Sequence, residues 1–183
     1  MKKSIFTLSL FLFVTLFTIA QEVNNTSEYE MLYQKKHELR IDALEGLIVP
    51  AIDISYEYVI NKYSGVGASI FMNVSSEPED YQKFAISPYY RQYFFNKKDF
   101  GARGFYGEGV LQFAGGSENF FNENGNVIDE EWSSFGVGFA IGQKWVSENG
   151  FVIDISLGGG RYFGNDLGPE GFFRGGVTVG YRF

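Results

Sequence analysis

The chain contains no cysteine, which removes disulfides, thiol nucleophiles and Cys-based metal sites together. It has one histidine, His37, and nothing nominates a serine and an aspartate to join it, so a Ser-His-Asp centre lacks its other members. Basic residues are scarce: 15 Lys and Arg stand against 22 Asp and Glu, a formal net charge of −7. That balance argues against nucleic acid as a partner, because phosphate binding needs basic patches. No helical period persists after residue 37. The runs Gly158-Gly159-Gly160 and Gly115-Gly116 are therefore not phosphate loops, since no helix follows them, and no cofactor is expected.

The first residues read as a targeting segment. Met1-Lys2-Lys3 is basic, Ile5 to Ala20 is an apolar run broken only by Thr and Ser, and Thr18-Ile19-Ala20 places small residues at the −3 and −1 positions of a cleavage site. The run is short for a span of about 20 residues and no charged stop-transfer segment follows. Residues 1–20 are expected to be a cleaved signal peptide, with no following Cys to carry a lipid. Without Lys2 and Lys3, 13 basic residues face 22 acidic ones. Residues 21–36 are polar and are expected to form a loose periplasmic leader, in which the sequon at Asn24-Asn25-Thr26 has no meaning. Residues 37–183 form the one domain.

What the chain has in quantity is aromatics, 19% of residues, and glycine, 23 residues. The informative stretch is Val177-Thr178-Val179-Gly180-Tyr181-Arg182-Phe183. Side chains of a strand alternate with period 2, so one face carries Val, Val, Tyr and Phe and the other Thr, Gly and Arg. The same pattern predicts eight strands, at 38–44, 51–60, 65–73, 84–94, 104–113, 135–146, 151–163 and 173–183. The outward faces read Leu39/Ile41/Ala43, Ile52/Ile54/Tyr56/Tyr58, Val66/Ala68/Ile70/Met72 and so on. Aromatics stand at both ends of several faces (Phe84 and Phe94, Phe105 and Phe113, Phe135 and Trp145, Phe173 and Phe183), with aliphatics between. Such rings form the interfacial girdles of a membrane barrel. The expected fold is all-β: an eight-stranded antiparallel up-and-down transmembrane barrel. Tyr181 and Phe183 are expected to act as its assembly signal.

Connections 61–64, 96–103 and 147–150 are short, and 75–82, 114–132 and 164–171 are mostly longer. The asymmetry of short periplasmic turns and longer outer loops places both barrel ends in the periplasm. Asn124-Gly125 is a type I′ turn signal, so the longest loop is expected to project as a small hairpin. Trp132 has the wrong parity for a strand starting at 135 and is expected in the loop or beside a bulge. Pro88 lacks a ladder donor, and a bulge there is expected.

Inward positions carry Arg40, Arg91, Lys144, Arg174 and Arg182 against Asp42, Asp53, Glu57, Glu108 and Asp154. Buried charges are tolerated when paired, and an eight-stranded interior is just wide enough to be filled by side chains. A balanced network is thus expected to plug the lumen, with inward glycines opposite Tyr89, Tyr93, Tyr106 and Arg91. A proton-linked path through Glu108 and Arg91 and a carboxylate pair of Asp154 with Glu108 explain these residues less simply. The outer loops are acidic, and Asp129, Glu130 and Glu131 offer hard oxygen ligands for a weak cation site, although their spacing matches no calcium loop.

Ile86-Ser87-Pro88-Tyr89-Tyr90-Arg91, Gly107-Glu108-Gly109, Gly142-Gln143-Lys144-Trp145 and the closing Gly180-Tyr181-Arg182-Phe183 resemble an uncharacterised family of small outer-membrane β-barrels of Gram-negative envelopes, over roughly residues 37–183. The resemblance implies an outer-membrane location and insertion by the barrel-assembly machinery, and carries over no catalytic or ligand residues. The expected role is structural or surface-interacting, non-enzymatic and monomeric, in contact with lipid and lipopolysaccharide. A lipocalin-like small-ligand binder would place its apolar face inside, the reverse of this pattern. A lipid-modifying barrel enzyme would need polar catalytic side chains at the outer rim.

Overall fold

The computed structural model describes residues 35–43, 50–74, 82–94, 101–121, 127–164 and 168–183. The expected signal peptide (1–20), most of the leader and the Asn124-Gly125 turn lie outside the described residues. Eight strands follow in order: β1 His37–Asp42, β2 Ala51–Asn61, β3 Ser64–Asn73, β4 Gln82–Phe94, β5 Gly104–Phe121, β6 Val127–Val146, β7 Phe151–Gly164 and β8 Gly171–Arg182. Each pairs antiparallel with its neighbour in sequence, and β1 pairs with β8 to close the barrel. Closure satisfies every edge, the condition for strands to stand in a medium without hydrogen-bonding water.

The alternation of the sequence becomes an inverted barrel. Glu38, Glu57 and Arg182 are fully buried, whereas Leu157 is 63% and Phe173 68% exposed. The register shows how the exterior is graded. One row of ladder partners runs Ile41, Ile54, Ile70, Ile86, Phe113, Phe135, Phe163. Strands tilt about 35–45° in such barrels, so a row drawn across them climbs from the body of the wall to a rim. The residue type changes with it, isoleucine in the wall and phenylalanine where Phe163 nears the end of β7. The Phe113 and Phe135 rings meet at 5.0 Å. At the opposite rim Phe94 and Phe105 are 6.4 Å apart.

Inside, size complementarity sets the taper. The ring of Phe172 lies across Gly136, Gly138 and Gly160 of the facing strands, so that a Cβ at Gly138 would stand 2.7 Å from the ring and 2.8 Å from the Gly159 carbonyl. Tyr89 lies against Gly67 in the same manner and Tyr106 against Gly142.

Three expectations need correction. β5 and β6 do not stop at 113 and 135; their ladder continues to Phe121 and Val127. β4 pairs only as far as Gly116, and β7 only as far as Ser134. The long connection, expected to project as a small hairpin, is a two-stranded ribbon that continues β5 and β6 above the wall. Trp132 belongs to β6 with the inward parity of Ser134 and Gly136, and it is buried with Ala85, Ala114 and Tyr162. Pro88 causes no bulge. Its row with β3 is unbroken, and the pairs with β5 keep one register from Ile86 to Tyr89. The β4–β5 irregularity falls at Gln82–Phe84 instead.

Candidate functional site in the barrel lumen

The lumen is built in three storeys. At the turn rim, Val59, Tyr93, Ala102 and Tyr106 form an apolar floor. Arg182 seals it by donating from Nη1 to the Gly101 carbonyl (2.6 Å) and from Nη2 to the Ala102 carbonyl (2.9 Å). Ala102 holds a left-handed φ of +52°, a strain of roughly 1–3 kcal/mol that surrounding contacts must hold in place.

Above the floor lies a continuous ion-pair network. Glu38 is its lower hub: Arg182 Nε donates to Oε1 at 2.7 Å, Arg40 Nη1 to Oε2 at 3.0 Å and Lys144 Nζ to Oε2 at 3.0 Å. Glu57 is the upper hub, accepting from Arg40 (2.9 Å), Arg91 (3.2 Å), Lys144 (2.9 Å) and the Tyr93 hydroxyl (2.6 Å). Arg91 bridges onward to Glu108 through Nε at 2.6 Å and to Asp154 through Nη1. Asp154 also accepts from the Tyr106 hydroxyl at 2.7 Å. Arg174 completes the chain, donating to Glu108 at 2.9 Å and to the Ser69 hydroxyl at 2.8 Å. The Arg91 guanidinium lies 4.2 Å from the Tyr106 ring centroid, a cation–π contact in a desolvated setting.

Taking charges out of water is costly unless geometry and hydrogen bonding are good. Here every cation of the network meets at least one carboxylate, so the lower lumen is filled and electrostatically satisfied. Eight of the ten expected lumen charges join this network: Arg40, Glu57, Arg91, Glu108, Lys144, Asp154, Arg174 and Arg182. Asp42 and Asp53 line a cavity of about 400 Å³ in the upper storey. Glu38, absent from the expected set, is a ninth member, and it shares the inward parity of Arg40 and Asp42. The Tyr93 and Tyr106 hydroxyls act as donors in the network rather than as bulk alone.

The cavity is lined by Asp42, Asp53, Ser55, Ser69, Phe71 and Gln112 among others, with Arg174 and Arg91 at its base. Two buried polar atoms there, Gln112 Oε1 and Thr178 Oγ1, have no hydrogen-bond partner among the described residues. Beside it stands the aromatic cluster of Trp132, Tyr162 and Phe172, with Tyr162 4.9 Å from Phe172 and 6.2 Å from Trp132.

His37 is exposed at the turn rim. Its Nδ1 is 2.6 Å from the Tyr56 hydroxyl, and its ring stacks on Phe183 at 5.9 Å and 21°. Backbone bonds His37 N–Phe183 O (3.1 Å) and Phe183 N–His37 O (2.8 Å) fix that pair. The histidine is part of the seam.

The expected cation cluster is not assembled as one. Glu130 and Glu131 are exposed neighbours on β6, so strand alternation sends their side chains to opposite faces; the side chain of Asp129 lies outside what the structure describes. Among the described residues no group of three or more His, Asp or Glu is placed to hold a metal.

A closed antiparallel barrel that is polar inside, apolar outside and ringed by aromatics has the build of outer-membrane barrels. Among solved structures, the chain is similar to the N-terminal β-barrel domain of Pseudomonas aeruginosa OprF, at 14% identity and a TM-score of 0.49, with 82% of this chain and 98% of that one covered. No family model and no curated protein matches the sequence.

Proposed function

We propose that the chain is a small, monomeric outer-membrane β-barrel of an uncharacterised Gram-negative family, non-enzymatic, with a structural or surface-interaction role. The observation that carries this is the inverted polarity of a closed barrel. Large apolar side chains from all eight strands are exposed, while nine charged residues are paired inside. In water such an exterior would be an aggregation surface, far beyond the few hundred Å² that soluble monomers expose. In a bilayer it meets lipid.

The paired lower lumen supports a plugged barrel rather than a diffusion pore. Tyr181 and Phe183 are proposed to be read by the barrel-assembly machinery. The exposed Glu130 and Glu131 of the ribbon are proposed to face the lipopolysaccharide layer.

Cell fractionation combined with heat-modifiable gel mobility tests the reading. The protein is expected in the outer-membrane fraction, with a mobility shift on boiling. A mature chain that is soluble without detergent would favour the lipocalin-like alternative. Altered lipid A mass spectra in a deletion strain would favour the lipid-modifying enzyme.

A further inference from the structure

The cavity of the upper lumen is polar, and its charged groups answer one another. Arg91 and Arg174 at its base are both paired with Glu108. Of the two carboxylates on its wall, Asp53 has Arg174 as its strongest charge neighbour, and Asp42 has an interaction partner of its own. With cations at the base and carboxylates on the wall, a ligand charge of either sign meets repulsion. What the wall offers instead is uncharged hydrogen bonding. Ser55, Ser69 and Ser87 stand in one row of ladder partners across β2, β3 and β4, buried and lining the cavity. Neighbouring strands lie roughly 4.8 Å apart, so the row forms a panel of three hydroxyls. Ser55 accepts from Arg40 Nε and Ser69 from Arg174 Nη1, and a hydroxyl that accepts keeps its own proton to donate. Two further wall atoms, Gln112 Oε1 and Thr178 Oγ1, are buried without a hydrogen-bond partner among the described residues. Gln112 as a whole is only 7% exposed.

We propose that the upper lumen is a binding site for a neutral, hydroxyl-rich ring: a monosaccharide or a cyclitol. Its hydroxyls donate to Gln112 Oε1 and Thr178 Oγ1 and accept from the serine panel. A hydroxyl suits both tasks because one oxygen donates and accepts at once. Phe71 and Phe172, half-buried at the cavity wall, supply the apolar surface on which the C–H face of such a ring packs. A few placed polar groups beside aromatic walls are the usual build of a small-molecule site, and about 400 Å³ lies within the usual size range. The ion pairs around Glu57 occupy the lumen beneath, so the site is blind at its inner end.

The test uses the mature full-length protein, refolded in detergent. Glucose, galactose and myo-inositol are titrated by calorimetry and by the fluorescence of Trp132, which stands in the aromatic cluster beside the site. The chain has two tryptophans, so a Trp145→Phe background isolates that signal. Saturable one-to-one binding of at least one of the three is expected. Glucosamine and glucuronate, which put a charge of either sign on the same ring, are expected to bind roughly tenfold more weakly. Cyclohexanol, which lacks the set of hydroxyls, is expected to bind more weakly still. Gln112→Leu and Thr178→Val are each expected to weaken sugar binding roughly three- to tenfold, the scale of one lost hydrogen bond. Both remove an unmet polar atom, so their unfolding midpoints are expected to stay level or rise while binding falls. A merely structural role would not move the two readouts apart. Heat-modifiable mobility reports that each barrel is intact; should Gln112→Leu fail to fold, Thr178→Val and the comparison of neutral with charged rings decide the matter. Absence of saturable binding by all three neutral rings, charged forms that bind equally or more tightly, or folded variants that bind like the parent would each overturn the proposal. None of those outcomes touches the assignment of the barrel to the outer membrane, which fractionation tests separately.

Discussion

Glu38 and Arg182 stand directly opposite one another in the β1–β8 ladder that closes the barrel, and their side chains pair inside it although 144 positions separate them. On the outer face of the same seam, His37 stacks on Phe183. The closure is thus fastened on both faces, by charge within and by rings without. Removing one partner of a buried pair strands the other, at about 3–5 kcal/mol. Arg182→Met is expected to lower stability by an amount of that order and Glu38→Gln by at least as much, because Glu38 also serves Arg40 and Lys144. Urea unfolding in lipid vesicles measures both; wild-type midpoints in either variant would remove the seam from the account of stability.

The filled lower lumen predicts electrical silence. Purified protein in planar bilayers is expected to show no stable ohmic conductance, because the ion pairs around Glu57 and Arg91 occupy the lower lumen. Reproducible channels that disappear in Glu108→Gln would instead establish a conducting route through the network.

The glycines beneath Phe172 predict a contrast. Gly138→Ala drives a methyl group against both ring and backbone and is expected to be destabilising by about 1–3 kcal/mol, the range of overpacked cores. Gly109→Ala meets nothing within 4 Å and is expected to stay within about 0.5 kcal/mol. Equal effects at the two sites, measured by the same unfolding assay, would show that the ring is not seated as described.

Deleting Phe183 is expected to reduce the amount of protein inserted in the outer membrane, read by quantitative blotting of fractionated cells. It also removes the ring that stacks on His37. Normal outer-membrane levels of the truncated chain would end its role as an assembly signal.

How much of this was legible in the sequence follows the solvent on each side of the wall. Where an apolar exterior forms one face and a packed charged lumen the other, alternation is enforced, because a one-residue slip would exchange the two faces. The parity of all ten expected lumen charges was readable for that reason. Above the wall Glu130 and Glu131 are both exposed although they point to opposite faces, so polar residues run on consecutive positions and the alternation vanishes. That is why the alternation along β6 becomes visible only from Phe135, and why Trp132 stands apart from it in the sequence. Glu38 escaped because a six-residue strand offers only three inward positions, and the first borders a polar leader. The cavity was not legible at all. It depends on how far Arg174 and Phe172 reach across the lumen, which no pattern along the chain encodes.

The adjacency of His37 and Phe183 has a consequence for how seam closure and the proposed assembly signal can be told apart. A circular permutant that bridges this point with a short linker and opens the chain within 122–126 keeps every ladder pair described above. It changes only which residue ends the polypeptide. Folding in detergent would then proceed on the same pairings, while delivery in the cell would lose its terminal aromatic. The architecture therefore lets thermodynamic closure and the proposed cellular address be measured on separate molecules.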